Sequence, residues 1–242
     1  MIFIFKKPTL VLDCFTWSRS AYELLPIDYG YNHFPDWWKQ LPRQVRADPF
    51  DIAPLNTTKT CPGIVHFHTK CIVLPMWCDL NIHISENNYE WNYSDSNYKL
   101  DTHPLHVQTE GWLDNSFFNI KFIAPWAIKC KTFDKFLQTY PIYSYGPEKL
   151  KRLIMAPGVV DFKSQHAVNV NTLGQYKKEH QYISYEAGEP LAFFFPLSDK
   201  KIKLKHHLVS KEDFNQLFRG GFVFNNITPK FLKFWKKNED RF

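Results

Sequence analysis

Nowhere does this sequence hold the ~20 consecutive apolar residues that a membrane-crossing helix requires. Its opening run, Met1-Ile2-Phe3-Ile4-Phe5-Lys6-Lys7, puts apolar residues before charges, the reverse of a secretory leader. Cysteine is scarce and odd in number: Cys14, Cys61, Cys71, Cys78 and Cys130 show no close paired spacing of the kind that closes a zinc site. Together these absences lead us to expect a soluble protein of a reducing compartment, cytoplasmic in its host cell. Glycine is thin as well, at nine residues. There is no phosphate-cradling Walker loop, no dinucleotide fingerprint and no Gly-x-Ser-x-Gly elbow, so the commonest nucleotide-dependent and serine-nucleophile chemistries have no sequence support.

Aromatic and apolar residues are abundant by contrast. The 242 residues are 44% hydrophobic and 17% aromatic, with 22 Phe, 12 Tyr and 8 Trp, which supplies a large core and excludes disorder. Sixteen prolines are spread along the chain, a pattern that suits many short strands joined by turns. The fold class expected is all-β, or β-dominated α+β: a two-sheet sandwich or β-clip with short C-terminal helices. We expect one domain over 1–242, with an N-terminal strand and aromatic arm over 1–60, a β core over 61–208 and C-terminal helices over 209–242. The net charge of +6 is concentrated late, in Asp199-Lys200-Lys201-Ile202-Lys203-Leu204-Lys205 and Lys233 to Lys237. A basic end attracts anions, but a solvated lysine face is the plainer reading. The aromatics alternate as core positions and stand apart from the lysines in sequence, which argues against nucleic acid as a partner.

Along the chain, residues 2–16 read as a strand or strand pair, and Asp36 to Leu41 as one helical turn between Pro35 and Pro42. Leu80, Ile82 and Ile84 alternate with polar residues and face Tyr89, Trp91 and Tyr93 across a turn at Asn87-Asn88, a hairpin pattern. Further strands are expected at Phe118 to Ile123, Trp126 to Lys131, Leu153 to Ala156, Gln181 to Tyr185 and Leu191 to Phe195. Ser210 followed by Lys211-Glu212-Asp213 predicts a helix start and Gly220-Gly221 its stop; Thr228-Pro229 opens another helix. One segment recurs: Cys61-Pro62-Gly63-Ile64-Val65-His66-Phe67 returns as Ala156-Pro157-Gly158-Val159-Val160-Asp161-Phe162. Each copy is followed by a β-prone run, Ile72-Val73-Leu74 and Val168-Asn169-Val170, so Pro-Gly is expected to launch a strand pair twice and the core to consist of two related strand units.

Pro62 to Val65, Pro125 to Ile128, Gly188 to Ala192 and the Asp36-Trp37-Trp38 to Leu41-Pro42 stretch carry a resemblance to an uncharacterised protein family of marine tailed phages and some bacteria. That resemblance implies a phage-type accessory or structural protein, in the host cell or the virion. Gly158-Val159-Val160-Asp161, followed by Gly188-Glu189-Pro190-Leu191-Ala192, is also similar to segments of the dUTP pyrophosphatase β-clip. This implies a hydrolytic role for Asp161 and a homo-oligomer. The chain departs from that family at Ser164, where a tyrosine is expected, and lacks its phosphate-binding serine motif.

Among candidate chemical groups, His66 and His68 would share one face of a strand and begin a metal site. Asp101 with His103 could exchange a proton near neutral pH, and His83 and His166 could face a common cavity. No cofactor fingerprint is present. The function expected is therefore binding without catalysis, with virion proteins or further copies of the chain as candidate partners. The alternative is a diverged nucleotide hydrolase using Asp161, or a metal-dependent oxygenase using His66 and His68.

Overall fold

A computed structural model describes residues 8–46, 48, 53–103, 113–141, 144 and 153–220. Strands dominate. In chain order they are β1 (Thr9–Thr16), β2 (Asp28–Tyr29), β3 (Gln44–Val45), β4 (Leu55–Asn56), β5 (Ile72–Pro75), β6 (Leu80–Ile84), β7 (Tyr89–Tyr93), β8 (Leu100–Asp101), β9 (Phe117–Cys130), β10 (Lys135–Thr139), β11 (Leu153–Met155), β12 (Gly158–Asp161), β13 (Ala167–Gln175), β14 (Gln181–Tyr185), β15 (Pro190–Pro196) and β16 (Lys201–Leu208). Four short α-helices accompany them: α1 (Arg19–Glu23), α2 (Asp36–Gln40), α3 (Pro62–Lys70) and α4 (Lys211–Gly220).

One sheet runs β11-β13-β9-β1-β16, with β8 also on β9; a second runs β12-β10-β15-β5-β2. The two share a core in which Leu12, Phe122 and Ile128 of the first meet Leu74, Phe136 and Phe194 of the second. The expected sandwich is thus present, and a three-stranded sheet β14-β6-β7 adds Ile82, Tyr93 and Ile183 to the same core. No helix among the described residues is long and apolar enough to cross a membrane.

Period-two patterning explains the strands. In β1, Leu10, Leu12, Cys14 and Thr16 are buried while the intervening residues look outward. The strand lies between β9 and β16, so the strand expected within residues 2–16 is an inner strand of the first sheet. Two expected strands merge into the single β9 despite Pro125, because the β13 ladder skips there: Ala167 pairs with Ala127 but Asn169 with Ile123. A bulge leaves the proline, which has no N–H to give, out of the ladder. The β6–β7 hairpin stands where expected, but its turn is closed by Ser85, whose N–H and hydroxyl both donate to the Asn88 carbonyl at 2.8 and 3.0 Å. No described non-glycine residue adopts a positive φ, so neither Asn87 nor Asn88 is left-handed in this turn.

The repeat does not fold as two related strand units. Its first copy is the helix α3 and its second is strand β12, and the runs that follow fall in different sheets, β5 in one and β13 in the other. In the first copy Pro62 occupies the opening helical position, where its missing N–H costs nothing, and Ile64, Phe67 and His68 fall at the three- and four-residue spacing of one helix face. In the second, β-branched Val159 and Val160 sit opposite Leu137 and Phe136 of β10. Helix α4 starts as expected: the Ser210 hydroxyl accepts from the Asp213 N–H at 3.1 Å. It lays Phe214 in a shallow hollow with Trp17, Tyr98 and Ile123, on the face of the first sheet and not along an open edge. The helix expected at Thr228-Pro229 lies outside the described residues.

Candidate ligand cleft

Helix geometry separates the two histidines expected to form a metal pair. Two positions on a helix turn the chain by ~200°, where on a strand they would return a side chain to the same face. His66 is exposed, whereas His68 is fully buried with Nδ1 3.4 Å from the Gly30 carbonyl oxygen. The His68 ring stacks on Phe34 at 4.3 Å and meets Phe193 edge-on at 5.4 Å. Burial pushes its pKa down, the Gly30 contact opposing and nearby His33 adding to the shift, so this packing favours the neutral ring. Gly30 is required beside it: a Cβ there would run into the Cys71 sulfur and the His68 carbonyl. Trp38 extends the stack, 4.1 Å from Phe34, so the aromatic arm covers helix α3 and not a sheet edge.

Asp161 closes the turn after β12. Its two carboxylate oxygens accept from the Lys163 N–H at 2.9 Å and the Ser164 hydroxyl at 3.2 Å, while its carbonyl accepts from the N–H groups of Ser164 and Gln165. Both oxygens are thus committed within its own turn. The other groupings are likewise dispersed. Asp101 lies 3.6 Å from Lys121 and accepts from the Thr102 N–H, while the His103 N–H donates to Asn119. His83 meets His180 at 2.8 Å on the outer face of the three-stranded sheet, whereas the His166 carbonyl accepts from Ile128 in the first sheet. Burial pushes the Cys71 thiol up to about 12 and Cys78 up to about 11, the state of inert packing. Among the described residues, no group of three or more His, Cys, Asp or Glu is gathered to hold a metal ion.

The structure does assemble a site from residues far apart in sequence. A cleft of about 560 Å³ opens where β2 and the 3-10 turn Gly30–His33 meet the end of α3 and the start of β16. Tyr29 and Tyr31 form one wall, their rings 5.3 Å apart and within 10° of parallel. Tyr29 is fixed by its hydroxyl, which accepts from the Leu204 N–H at 3.1 Å and so covers part of the free edge of β16. Tyr31 remains 51% exposed, its ring available for stacking. Thr69, Lys70, Asp199, Lys200, Lys201 and Ile202 complete the lining.

Lysines outnumber the single aspartate of this lining. Lys70 reaches Asp199 at 2.7 Å, a pair whose acid is 87% exposed and readily displaced. Lys200 is anchored 2.7 Å from Asp134, a nearly buried carboxylate. Burial would push Asp134 up, but hydrogen bonds from Lys200 and the Thr132 hydroxyl outweigh it and hold the carboxyl below its ordinary value. The cleft therefore joins an apolar stacking wall to ammonium groups, an arrangement suited to a flat ring that carries negative charge.

No family model, no curated protein and no solved structure matches this chain. The cleft escapes a reading along the chain because its walls come from three separated segments. One signal was present: Lys201-Ile202-Lys203-Leu204-Lys205-His206 alternates with period two, the pattern of a strand with a basic outer side, yet reads as a run of charge.

Proposed function

We propose that this chain acts by binding, as a phage-type accessory or structural protein of the host cell or virion, and that its ligand is a ring-bearing anion held in the Tyr29–Tyr31 cleft. The observation that carries the reading is the parallel tyrosine pair set against Lys70, Lys200 and Lys201. A ring laid on Tyr31 gains stacking and leaves its anionic group within reach of ammonium donors, and Asp199 yields Lys70 to a better-charged partner. A cleft fixed in advance, with Tyr29 tied to β16 and Lys200 tied to Asp134, binds without first having to be ordered. The resemblance to the phage family agrees with a binding role.

The test is thermal unfolding of the full chain against matched pairs of small molecules, ring-bearing phosphates and their uncharged analogues. A ligand that binds only the folded protein raises Tm by mass action. The charged members should raise it, and Tyr31→Ala should abolish the rise without lowering the unliganded Tm, since this ring is half exposed. Equal behaviour of charged and neutral members, or indifference to Tyr31→Ala, would remove the cleft from the account.

A further inference from the structure

We propose that the edge of the first sheet is a track for single-stranded nucleic acid, which enters at the Tyr29–Tyr31 cleft and runs along β16. The proposal rests on the cleft being a ligand site and adds the rest of the surface. Beyond Lys201, which lines the cleft, Lys203 and Lys205 are also exposed and point to the same side of the strand. Side chains on one side of a strand repeat every ~6.6 Å, a ladder of cations suited to successive phosphates of an extended single strand. In sequence the lysines stand apart from the aromatics; in the fold they do not. Tyr31 flanks one end of the ladder, and at the other Phe15 stacks on His207 at 4.7 Å, on the same side of the sheet because the two residues are partners in the β1–β16 register.

The neighbouring row adds charge: Lys205, Asp13 and Lys129 are aligned across β16, β1 and β9. Asp13 is the opposing acid there, and its oxygen lies 2.9 Å from His207 Nε2. Asp199 is the opposing acid at the cleft. Lysine on an edge strand also deters pairing with other chains, but that role calls for no aromatic ring at either end. Bases stacking on rings with phosphates on lysines is the sequence-tolerant mode of single-strand binding. A duplex, whose bases are already stacked, could use only the charges.

Fluorescence anisotropy of the full chain with a labelled oligothymidine of about a dozen nucleotides tests this. Three phosphate contacts predict a slope of log K against log salt of about −2. Lys203→Gln with Lys205→Gln should make the slope shallower by about 1.4 and leave Tm shifts by a nucleoside monophosphate unchanged. Tyr31→Ala should weaken oligonucleotide binding about tenfold at unchanged slope. If the mononucleotide binds and the oligomer gains nothing over it, the track is wrong and the cleft reading stands; if neither binds, both fall. Heparin competing as well as the oligonucleotide, together with indifference to Tyr31→Ala, would reduce the edge to a general polyanion surface and overturn the proposal.

Discussion

Two stretches of near-equal sequence end in different structures: Cys61 to Phe67 coils into α3, and Ala156 to Phe162 extends into β12. The position that is His66 in the first copy is Asp161 in the second, so the candidate hydrolytic carboxylate and one candidate metal ligand are one repeat position seen twice. On the helix that position is exposed; on the strand it is the turn-closing carboxylate. Local preference for either state is worth tenths of a kcal/mol per residue, and the neighbours decide. Around α3 those neighbours are Phe34, Phe193 and Phe195; beside β12 they are the open ladder of β10.

The sharpest way to break the comparison is to truncate the phenylalanine that closes each copy. Phe162 is 1% exposed and packs on Phe136 and Phe194, so Phe162→Ala should cost about 3–5 kcal/mol. Phe67 is half-buried against Phe195 and Phe193, and Phe67→Ala should cost about 1–2 kcal/mol. Denaturant midpoints at unchanged slope would show the difference; equal losses would mean that the copies are packed alike after all. Asp161→Ala, which removes two turn hydrogen bonds, should cost about 1 kcal/mol, and Asp161→Asn, which can keep the bond from Lys163, clearly less. A larger effect of the Asn variant on ligand binding than on stability would revive a chemical role for this carboxylate. Gly63→Ala should stabilise by about 0.5 kcal/mol, since a Cβ there meets only the Cys61 sulfur at an ordinary 3.8 Å and the helix favours alanine.

The gentlest probe is pH. Burial lowers the folded pKa of His68, so the unfolded chain binds the proton more readily and stability rises with pH. The contribution is complete above the unfolded histidine value of ~6.5 and is lost as pH falls from there toward the folded value. His68→Phe should flatten that part of the stability profile, whereas Lys163→Gln, at the matching position of the second copy, should leave it intact. An unchanged slope in His68→Phe would show that other groups, His33 among them, carry it.

Elements whose pattern is local were legible. The β6–β7 hairpin, β14, β15, the α2 turn between prolines and the Ser210 cap all follow from neighbours in sequence. What escaped depends on distant partners. Pro125 reads as a break until the bulge against β13 is known. The alternation in Lys201 to Leu208 is masked by its lysines until β1 supplies a neighbour on which Ile202 and Leu204 can be buried. For the site, the residue types were visible but not their company. His66 and His68 were noticed for a spacing that has meaning only on a strand, while Tyr29, Tyr31 and Lys70 carry no motif and gain their significance from standing beside Lys200 and Lys201.

β1 and β16 run parallel, the only parallel pair among the described strands, and they bring Asp13 to His207 across 194 positions of chain. During synthesis the growing protein must therefore hold the flank of β1 unpaired until nearly all the described residues have left the ribosome. Closure of so long a loop is entropically costly and late, and meanwhile the unpaired flank is open to other strands. The lysines of β16 stand guard only once that strand has arrived; before then, the nascent chain depends on the speed of its own completion.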